Sequence, residues 1–353
     1  MRHLNRYLWR AVLTPTVMLA LVLIALNGLF AFVDELDNLR GNYQAWQALV
    51  YVLTTLPRTL VEFMPMAILL GTLLGLGLLA NSGELTVIRA AGVSTFRICW
   101  MVMRPALLLL IISSLIGEYV APYTEQVAQS NRAMAESGGE TLKSKYGYWH
   151  REGEEFIHIN AVQPNGVLYG VTRYRYDNED HLVESLFIAR AIFQGDHWYM
   201  EDISGSRMEG ARVLPYTEDN GIWETSLTPQ LLSMVILRPD RLALTKLYQY
   251  ARYLAQQGLE AGEYLLAFWQ KLLQPLATLG MVLVATSFVF GPLRQVTMGL
   301  RMTAGIAAGL TFHYGQQFFG HMSLVFDSSP MIAALVPSLG SVAVGLLLLV
   351  RSR

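Results

Sequence analysis

Five long runs without a charged side chain constrain this sequence more than any other feature. A helix needs roughly 20 consecutive apolar residues to cross about 30 Å of hydrocarbon. Each run is at least that long and therefore predicts one transmembrane span. The runs occupy residues 11–33, 63–83, 272–293, 302–326 and 328–350.

A sixth apolar stretch lies at about residues 98–121, where Arg104 interrupts it and Glu118 ends it. Arg104 is close enough to one end for its long side chain to reach the membrane interface. The chain carries only 15% charged residues, against about 25% in typical soluble domains. The first run is longer than the apolar part of a signal peptide and lacks a small-x-small cleavage site, so we expect it to be retained.

The spans fall into two groups of three, separated by a long polar insert. The insert contains β-branched and aromatic segments such as "FIHIN" and "GVLYGVTRYRY", divided by turn sequences such as "QPNG" and "YDNED". Short strands at this spacing are typical of a sandwich or barrel, and we expect a sandwich. The predicted fold is a membrane α-helical bundle of six transmembrane helices with an inserted all-β domain. Its expected parts are residues 1–121, 122–262 and 263–353.

Residues 241–262 follow the predicted strands and have the pattern of an amphipathic helix. Leu247, Tyr250, Ala251 and Leu254 fall on one face at helical spacing. We expect this helix to lie along the membrane surface and to lead into the fourth span.

The distribution of basic residues predicts the orientation of the spans. Ten arginines, and only one acid, Glu84, lie at both termini and in the loops near residues 89–104 and 294–301. The opposite short loops contain one arginine and four acids. Because Lys and Arg accumulate on the cytoplasmic side, both termini should be cytoplasmic and the β insert should lie on the outer side.

Common catalytic motifs are missing from the sequence. It contains no G-x-x-x-x-G-K-[ST] phosphate loop, no H-E-x-x-H and no G-x-S-x-G. The seven histidines lack metal-ligand spacing, and the single cysteine, Cys99, cannot form an internal disulfide. If the protein performs work, we expect the energy to come from a partner or an ion gradient.

Polar residues within and beside the spans are candidates for substrate contact. His313, Gln316 and Gln317 share one face of the fifth span, where interhelical hydrogen bonding is the simpler interpretation and a substrate or proton role the alternative. Basic side chains near the outer span ends suit phosphate or anionic headgroups, although ordinary interfacial positioning explains each one separately. They are Arg40, Arg58, Arg132 and Lys271.

The segment "NSGELTVIRAAGVS", residues 81–94, predicts a short helix between the second and third spans. Ser82 is a plausible N-cap and Gly92 a plausible stop. The helix is too short to span a membrane, so it either connects two spans or docks onto a cytoplasmic partner.

This segment, as "LGLGLLANSGELTVIRAAGVS", resembles the corresponding part of the lipopolysaccharide-export permeases, the LptF/LptG family. Further similar elements are "FVDELDNL", "GEYVAPYTEQVAQSNRA" and "LLQPLATLGMVLVATSFVFGPLR", so the resemblance extends over the whole chain. The "FVFGPLR" and "GEYVAP" elements are closer to the LptG branch of the family than to the paralogous LptF branch.

The resemblance implies a permease subunit in the bacterial inner membrane, with a β-jellyroll domain in the periplasm. It implies an LptF-like permease as partner, two copies of an LptB-like ATPase on the cytoplasmic side and an LptC-like bridge protein. The complex would extract lipopolysaccharide and drive it towards the outer membrane. This chain would bind no cofactor and catalyse no reaction, since ATP and Mg would be used by the ATPase.

The resemblance also assigns roles to individual residues. The segment around Glu84 matches a coupling helix that inserts into the ATPase, which makes Leu85, Ile88 and Arg89 candidate coupling residues. Candidate lipopolysaccharide contacts are Arg40, Arg58, Arg132, Asp34, Phe312 and Phe318. Ala31, Asp37 and Asn38 depart from the lysines expected in relatives, which puts individual phosphate contacts in doubt.

Three alternatives to this interpretation differ in what they require. The first is the LptF paralogue. An ion-coupled secondary transporter would function without an ATPase and would have an inverted repeat. A membrane-bound assembly scaffold or enzyme of envelope synthesis would need a catalytic cluster in residues 122–262, and the sequence there shows none.

Overall fold

The computed structural model describes most of the chain, in segments that include nine α-helices and six strands. The described residues are 2–39, 43–137, 148–163, 166–177, 179, 181–210, 212–229, 232, 238–256, 260–291, 296–326 and 328–351.

The helices before the β insert are α1 (Arg2–Leu36), α2 (Ala45–Asn81), α3 (Glu84–Ala90), α4 (Thr95–Leu115) and α5 (Ala121–Ser137). A π-helical turn, Ile116–Val120, joins α4 to α5 without a break. The helices after the insert are α6 (Leu244–Gln256), α7 (Gly262–Phe290), α8 (Met298–Val325) and α9 (Pro330–Arg351).

Five helical segments in the described part of the chain are long and apolar enough to cross a membrane. They are His3–Leu36, Ala45–Asn81, Thr95–Arg132, Gly262–Phe290 and Pro330–Arg351. The helix α8 has 28 residues, which is about 42 Å at 1.5 Å per residue, but its His- and Gln-containing half makes it less apolar than those five. The predicted helical bundle is confirmed, and the stretch at 98–121 is among its spans, whereas the span predicted at residues 302–326, where α8 lies, stays a prediction.

Contacts divide the chain into two compact units. The first unit contains Met1–Asn27, Pro57–Val120 and Ala243–Arg353, and the second contains Gly28–Leu56 and Ala121–Leu242. The predicted boundaries after residues 121 and 262 remain a prediction.

The first unit has an apolar core made by residues of α1, α2, α4 and α7. Its most deeply buried members include Leu8, Leu73, Leu76, Val102 and Val282. Small residues let the helix backbones approach: a Cβ on Gly75 of α2 would lie 2.1 Å from the carbonyl oxygen of Ala11 in α1. Close approach at small residues is typical of helix packing in membranes, where lipid is as apolar as the side chains.

The amphipathic helix predicted after the β insert is present as α6. Its buried residues are Leu247, Tyr250, Ala251 and Leu254, as the helical spacing predicts. The π-helical turn presents Glu118 to the start of α6. The Glu118 carboxylate accepts hydrogen bonds from the backbone N–H groups of Leu244 (2.7 Å) and Thr245 (3.2 Å) and from the Thr245 hydroxyl (2.6 Å). This acid therefore satisfies donors that the first helical turn cannot satisfy itself.

The second unit contains the predicted all-β insert. Its strands are β1 (Tyr148–Glu152), β2 (Glu155–Val162), β3 (Val167–Tyr176), β4 (Leu182–Phe193), β5 (Trp198–Glu209) and β6 (Arg212–Trp223). All adjacent pairs are antiparallel, and the strands lie in one sheet in the order in which they follow in the chain. The β content is confirmed, but the described strands form one sheet, where a sandwich would divide them between two. Short turns favour pairing of successive strands, and spacing in the sequence does not distinguish these arrangements.

One face of this sheet carries an apolar core that includes two tryptophans. Trp198 of β5 lies opposite Trp223 of β6, and both side chains are buried. The Trp198 indole donates a 2.8 Å hydrogen bond to the Leu227 carbonyl, so its polar group is satisfied in the apolar interior.

Glu184 of β4 forms ion pairs with arginines of the two neighbouring strands. Its carboxylate pairs with Arg175 (3.0 Å) and Arg207 (3.2 Å) and accepts a hydrogen bond from the Tyr216 hydroxyl (3.0 Å). Burial raises the pKa of Glu184, but the hydrogen bonds from Tyr216 and Arg207 outweigh it and hold the pKa below the ordinary value. The ionised form is therefore the one that stabilises the sheet.

Candidate functional site

The predicted short helix between the second and third spans is α3, and glycines bound it on both sides. Gly83 precedes it with φ of 77° and Gly92 follows it with φ of 87°, a conformation that favours glycine. Gly92 stops the helix as predicted, since its N–H donates to the Arg89 carbonyl at 3.0 Å. The predicted N-cap is wrong: Gly83 occupies that position, and the Ser82 hydroxyl bonds the Leu79 carbonyl (3.2 Å) and the Glu84 carboxylate (3.0 Å) instead.

The two sides of α3 have different surroundings. Leu85 is 3% exposed and belongs to the main apolar core, and Ile88 packs against the same core. The Arg89 guanidinium lies 5.8 Å from the ring centre of Phe290, at the end of α7. Val87 points away and is 69% exposed. Of the candidate coupling residues, Leu85 and Ile88 face the core, while Glu84 and Arg89 are half-buried. The exposed side of α3 includes Val87, which was not among the candidates.

Glu84 at the start of α3 is tied to the first helix. Its carboxylate accepts a hydrogen bond from the hydroxyl of Tyr7 in α1. Tyr7 and Glu84 line an open notch of about 400 Å³, together with Leu4, Ser82, Gly83, Val87 and Ile88. The hydrogen bond between Tyr7 and Glu84 was not predictable, because nothing in the sequence pattern connects residues 77 positions apart.

Arg132 of α5 is held in a cluster within the second unit. Its Nη1 lies 2.9 Å from Oε1 of Glu35, and its guanidinium lies over the rings of Tyr43 (5.7 Å) and Tyr51 (5.3 Å). The Tyr43 hydroxyl donates to the same Glu35 oxygen at 2.9 Å. Burial, followed by the hydrogen bond to Glu35, raises the pKa of Tyr43. We name these four residues the Arg132 cluster.

A second buried ion pair lies in the same unit. Arg241 Nη1 donates to Oε1 of Glu125 at 2.5 Å, and the Gln129 amide donates to the same oxygen at 3.0 Å. The Glu125 side chain is only 1% exposed. Neither Glu35 nor Glu125 was among the predicted site residues, since no local pattern distinguishes a paired acid from a solvated one.

The remaining predicted substrate residues occupy varied positions. Arg40 lies outside the described residues. Arg58 on α2 is half-buried, Asp34 is exposed near the end of α1, and Phe312 packs against the main core. Phe318 is 62% exposed beside Phe319 on α8.

Two of the three polar residues predicted to share a face of α8, His313 and Gln317, contact each other, and His321 continues the same row. Nε2 of Gln317 lies 3.1 Å from Nε2 of His313, and Nδ1 of His321 lies 2.8 Å from the Gln317 carbonyl oxygen. All three residues are exposed. Within the described part of the chain, no group of three His, Cys, Asp or Glu side chains is arranged to hold a metal ion.

These features define a multi-pass membrane protein with a β-sheet inserted between two sets of helices and a short anchored helix between its second and third spans. Sequence comparison identifies the particular class. Residues 6–351 match the lipopolysaccharide export system permease LptF/LptG family, and the chain belongs to this family.

Individual relatives agree with this assignment. The chain is 38% identical over 352 residues to the lipopolysaccharide export system permease protein LptG of Escherichia coli strain K12, covering 99% of this chain and 98% of the relative. It is 34% identical over 339 residues to LptG of Haemophilus influenzae, covering 95% of each protein. The predicted similarity to the LptG branch is confirmed.

Proposed function

We propose that this chain is the LptG-type permease subunit of an ATP-driven exporter, which extracts lipopolysaccharide from the inner membrane and drives it towards the outer membrane. Near-complete coverage by LptG relatives supports this function. The partners are an LptF-like permease, two copies of an LptB-like ATPase and an LptC-like bridge protein. Both termini are cytoplasmic and the β domain is periplasmic, as the arginine distribution favours.

The single observation that carries the coupling role is the division of α3 into an anchored and an exposed side. Leu85 is buried in the core, whereas Val87 is largely exposed. A partner that docks on the exposed side can therefore displace the helix together with the core beneath it. Glu84, held by Tyr7 and Ser82, offers the ATPase a carboxylate in a fixed position. ATP and Mg are used by the ATPase, and this subunit is non-catalytic.

The lipid contacts proposed for this chain follow from charge and apolar surface. Extracting lipid A from the membrane exposes its acyl chains, and exposing apolar area to water costs about 25 cal/mol per Å². Exposed side chains such as Phe318 lower that cost by contacting the acyl chains. The proposed phosphate contacts are Arg40, Arg58 and Arg132. Asp34 is a further proposed substrate contact, and Phe312 adds to the apolar surface. Since Arg132 already pairs with Glu35, a phosphate has to share its guanidinium.

The test of this function is co-purification with the cytoplasmic ATPase after a single substitution in α3. We expect the wild-type chain to retain the ATPase, and Glu84→Ala to weaken ATPase binding about tenfold, which is the effect of losing one hydrogen bond to a charged group. ATP turnover should fall with the loss of bound ATPase. Glu154→Ala, which removes an exposed acid from the β1–β2 turn, is the matched control and should leave turnover unchanged.

The wild-type result decides the class of transporter. A wild-type chain that retains no ATPase in any mild detergent would overturn the proposed exporter. Uncoupler-sensitive transport in that preparation would instead favour an ion-coupled carrier.

A further inference from the structure

A buried arginine joins the end of α2 to the beginning of α8. Arg301 lies in the first turn of α8 and is 1% exposed. Its Nη1 donates hydrogen bonds to the Gly77 carbonyl (3.2 Å) and to the Asn81 side-chain oxygen (3.1 Å). Burying a guanidinium is costly unless its N–H groups are bonded, so these contacts hold the two helix ends together.

The carboxyl end of α2 is also an electrostatically favourable place for the guanidinium of Arg301, which is itself carried by α8. Asn81 is the last residue of α2, and a cation near the carboxyl end of a helix is stabilised by the helix dipole. Only Ser82 and Gly83 separate Asn81 from Glu84, the first residue of α3. Arg301 therefore binds the end of α2 immediately before the proposed coupling helix.

Close packing continues from Arg301 along α8. A Cβ on Gly305 would lie 2.1 Å from Cδ1 of Leu73, and a Cβ on Gly309 would lie 2.6 Å from Sδ of Met66. The α2 side of α8 is thus in contact over more than two turns. Its exposed side carries His313 and Phe318.

We propose that Arg301 is a positioning residue that makes α8 follow the end of α2 when the ATPase displaces α3. Because packed interfaces resist continuous deformation, a displacement at Asn81 reaches the exposed face of α8 through this latch, defined as Arg301 with Gly77 and Asn81. The latch transmits motion between the ATPase-facing helix and a helix that offers its other face to the transported lipid. This inference rests on the proposed exporter function.

The test measures coupling in the complete exporter, reconstituted in proteoliposomes with its partner permease, bridge protein and ATPase. The readout is the coupling ratio, the amount of lipopolysaccharide released to a soluble acceptor per ATP hydrolysed, measured beside ATPase retention. The variants are Arg301→Gln, Asn81→Ala and their combination. Arg252→Gln, which removes an exposed arginine from α6, is the matched control.

We expect Arg301→Gln to lower the coupling ratio about tenfold, a typical size for coupling between sites, while ATPase retention and turnover stay within about twofold. Asn81→Ala should lower the ratio about threefold, because the bond to Gly77 remains. The double variant should be no worse than Arg301→Gln alone, since both changes break one link. Arg301→Lys, which keeps the charge and can still donate hydrogen bonds from its ammonium group, should recover part of the loss.

Three results would overturn the latch. The first is an unchanged ratio in Asn81→Ala, which decides the matter even if Arg301→Gln does not assemble. The second is a double variant whose losses multiply, since independent effects add in free energy. The third is a loss of lipid release that only parallels a loss of ATPase retention, as a purely structural arginine would produce. Failure of the proposed function itself is distinguishable, because the wild-type chain would then retain no ATPase.

Discussion

Neutralising Glu35 should destabilise the second unit, because Arg132 then loses its ion-pair partner. Variants of this pair distinguish the structural role of Arg132 from its proposed contact with phosphate. The Arg132 and Glu35 side chains are only 16% and 9% exposed. Removing one member of a buried pair costs about 3–5 kcal/mol, and the partial exposure places Glu35→Gln at about 3 kcal/mol. For a unit of this size, melting falls by roughly 2–4 °C per kcal/mol. The thermal midpoint of the purified complex should therefore fall by about 6–12 °C.

The exchanged pair, Glu35→Arg with Arg132→Glu, tests the electrostatic origin of this cost. The attraction returns, whereas the tyrosine contacts of the guanidinium, about 0.5–1 kcal/mol each, are lost. Melting should recover by about half of the single-variant loss. Lipopolysaccharide-stimulated ATP turnover should not recover, because a glutamate at position 132 repels phosphate.

An exposed pair in the same unit provides the control. Arg238 and Asp240 are 3.3 Å apart, with side chains 75% and 48% exposed, so Asp240→Asn should cost less than about 1 kcal/mol. Equal small losses for Glu35→Gln and Asp240→Asn would refute the argument from burial. Recovery of lipid-stimulated turnover in the exchanged pair would show that Arg132 does not contact phosphate.

Three further results are expected. Leu85→Ala should destabilise the helical unit by about 3 kcal/mol in melting experiments, whereas Val87→Ala should leave melting unchanged and weaken ATPase retention; the reverse pattern would contradict the assigned faces of α3. Glu118→Gln should increase hydrogen exchange at the first amides of α6, because weakening the hydrogen bonds that Glu118 accepts there costs about 1 kcal/mol. Unchanged exchange would show that Glu118 does not stabilise the start of α6. Burial raises the pKa of Glu184, yet its hydrogen bonds hold it below the ordinary value. The stability from this carboxylate should therefore be complete above about pH 4.5 and lost as pH falls through the folded pKa. In Glu184→Gln, the melting temperature should depend less on pH across that range.

The membrane helices were predictable because their signal is local. Runs without charge between residues 11 and 33 or 328 and 350 need only length and composition to indicate a span. The same reasoning was less decisive for α8, whose apolar half is followed by His313 and Gln317. Composition therefore predicts its helix but not how much of it meets lipid.

The faces of α3 and the polar clusters required the tertiary structure. Leu85 and Ile88 are three positions apart and so share a face of any helix, yet either side of a seven-residue helix could have faced the core. The pairing of Arg132 with Glu35 joins α5 to the end of α1, and no pattern within one helix identifies such a partner. The strand segments were recognised individually, whereas their sequential order in one sheet depends on pairing between them.

The small size of α3 limits how it can act. An isolated helix of seven residues is not stable in water, so a partner could not push it as a rigid body unless something else held its shape. Leu85 supplies that support from below, and Gly83 and Gly92 permit the sharp turns at both ends. A force applied to α3 would therefore pass into the core through Leu85, into α1 through the Tyr7–Glu84 hydrogen bond, and into the end of α2, where Asn81 accepts a hydrogen bond from Arg301 of α8.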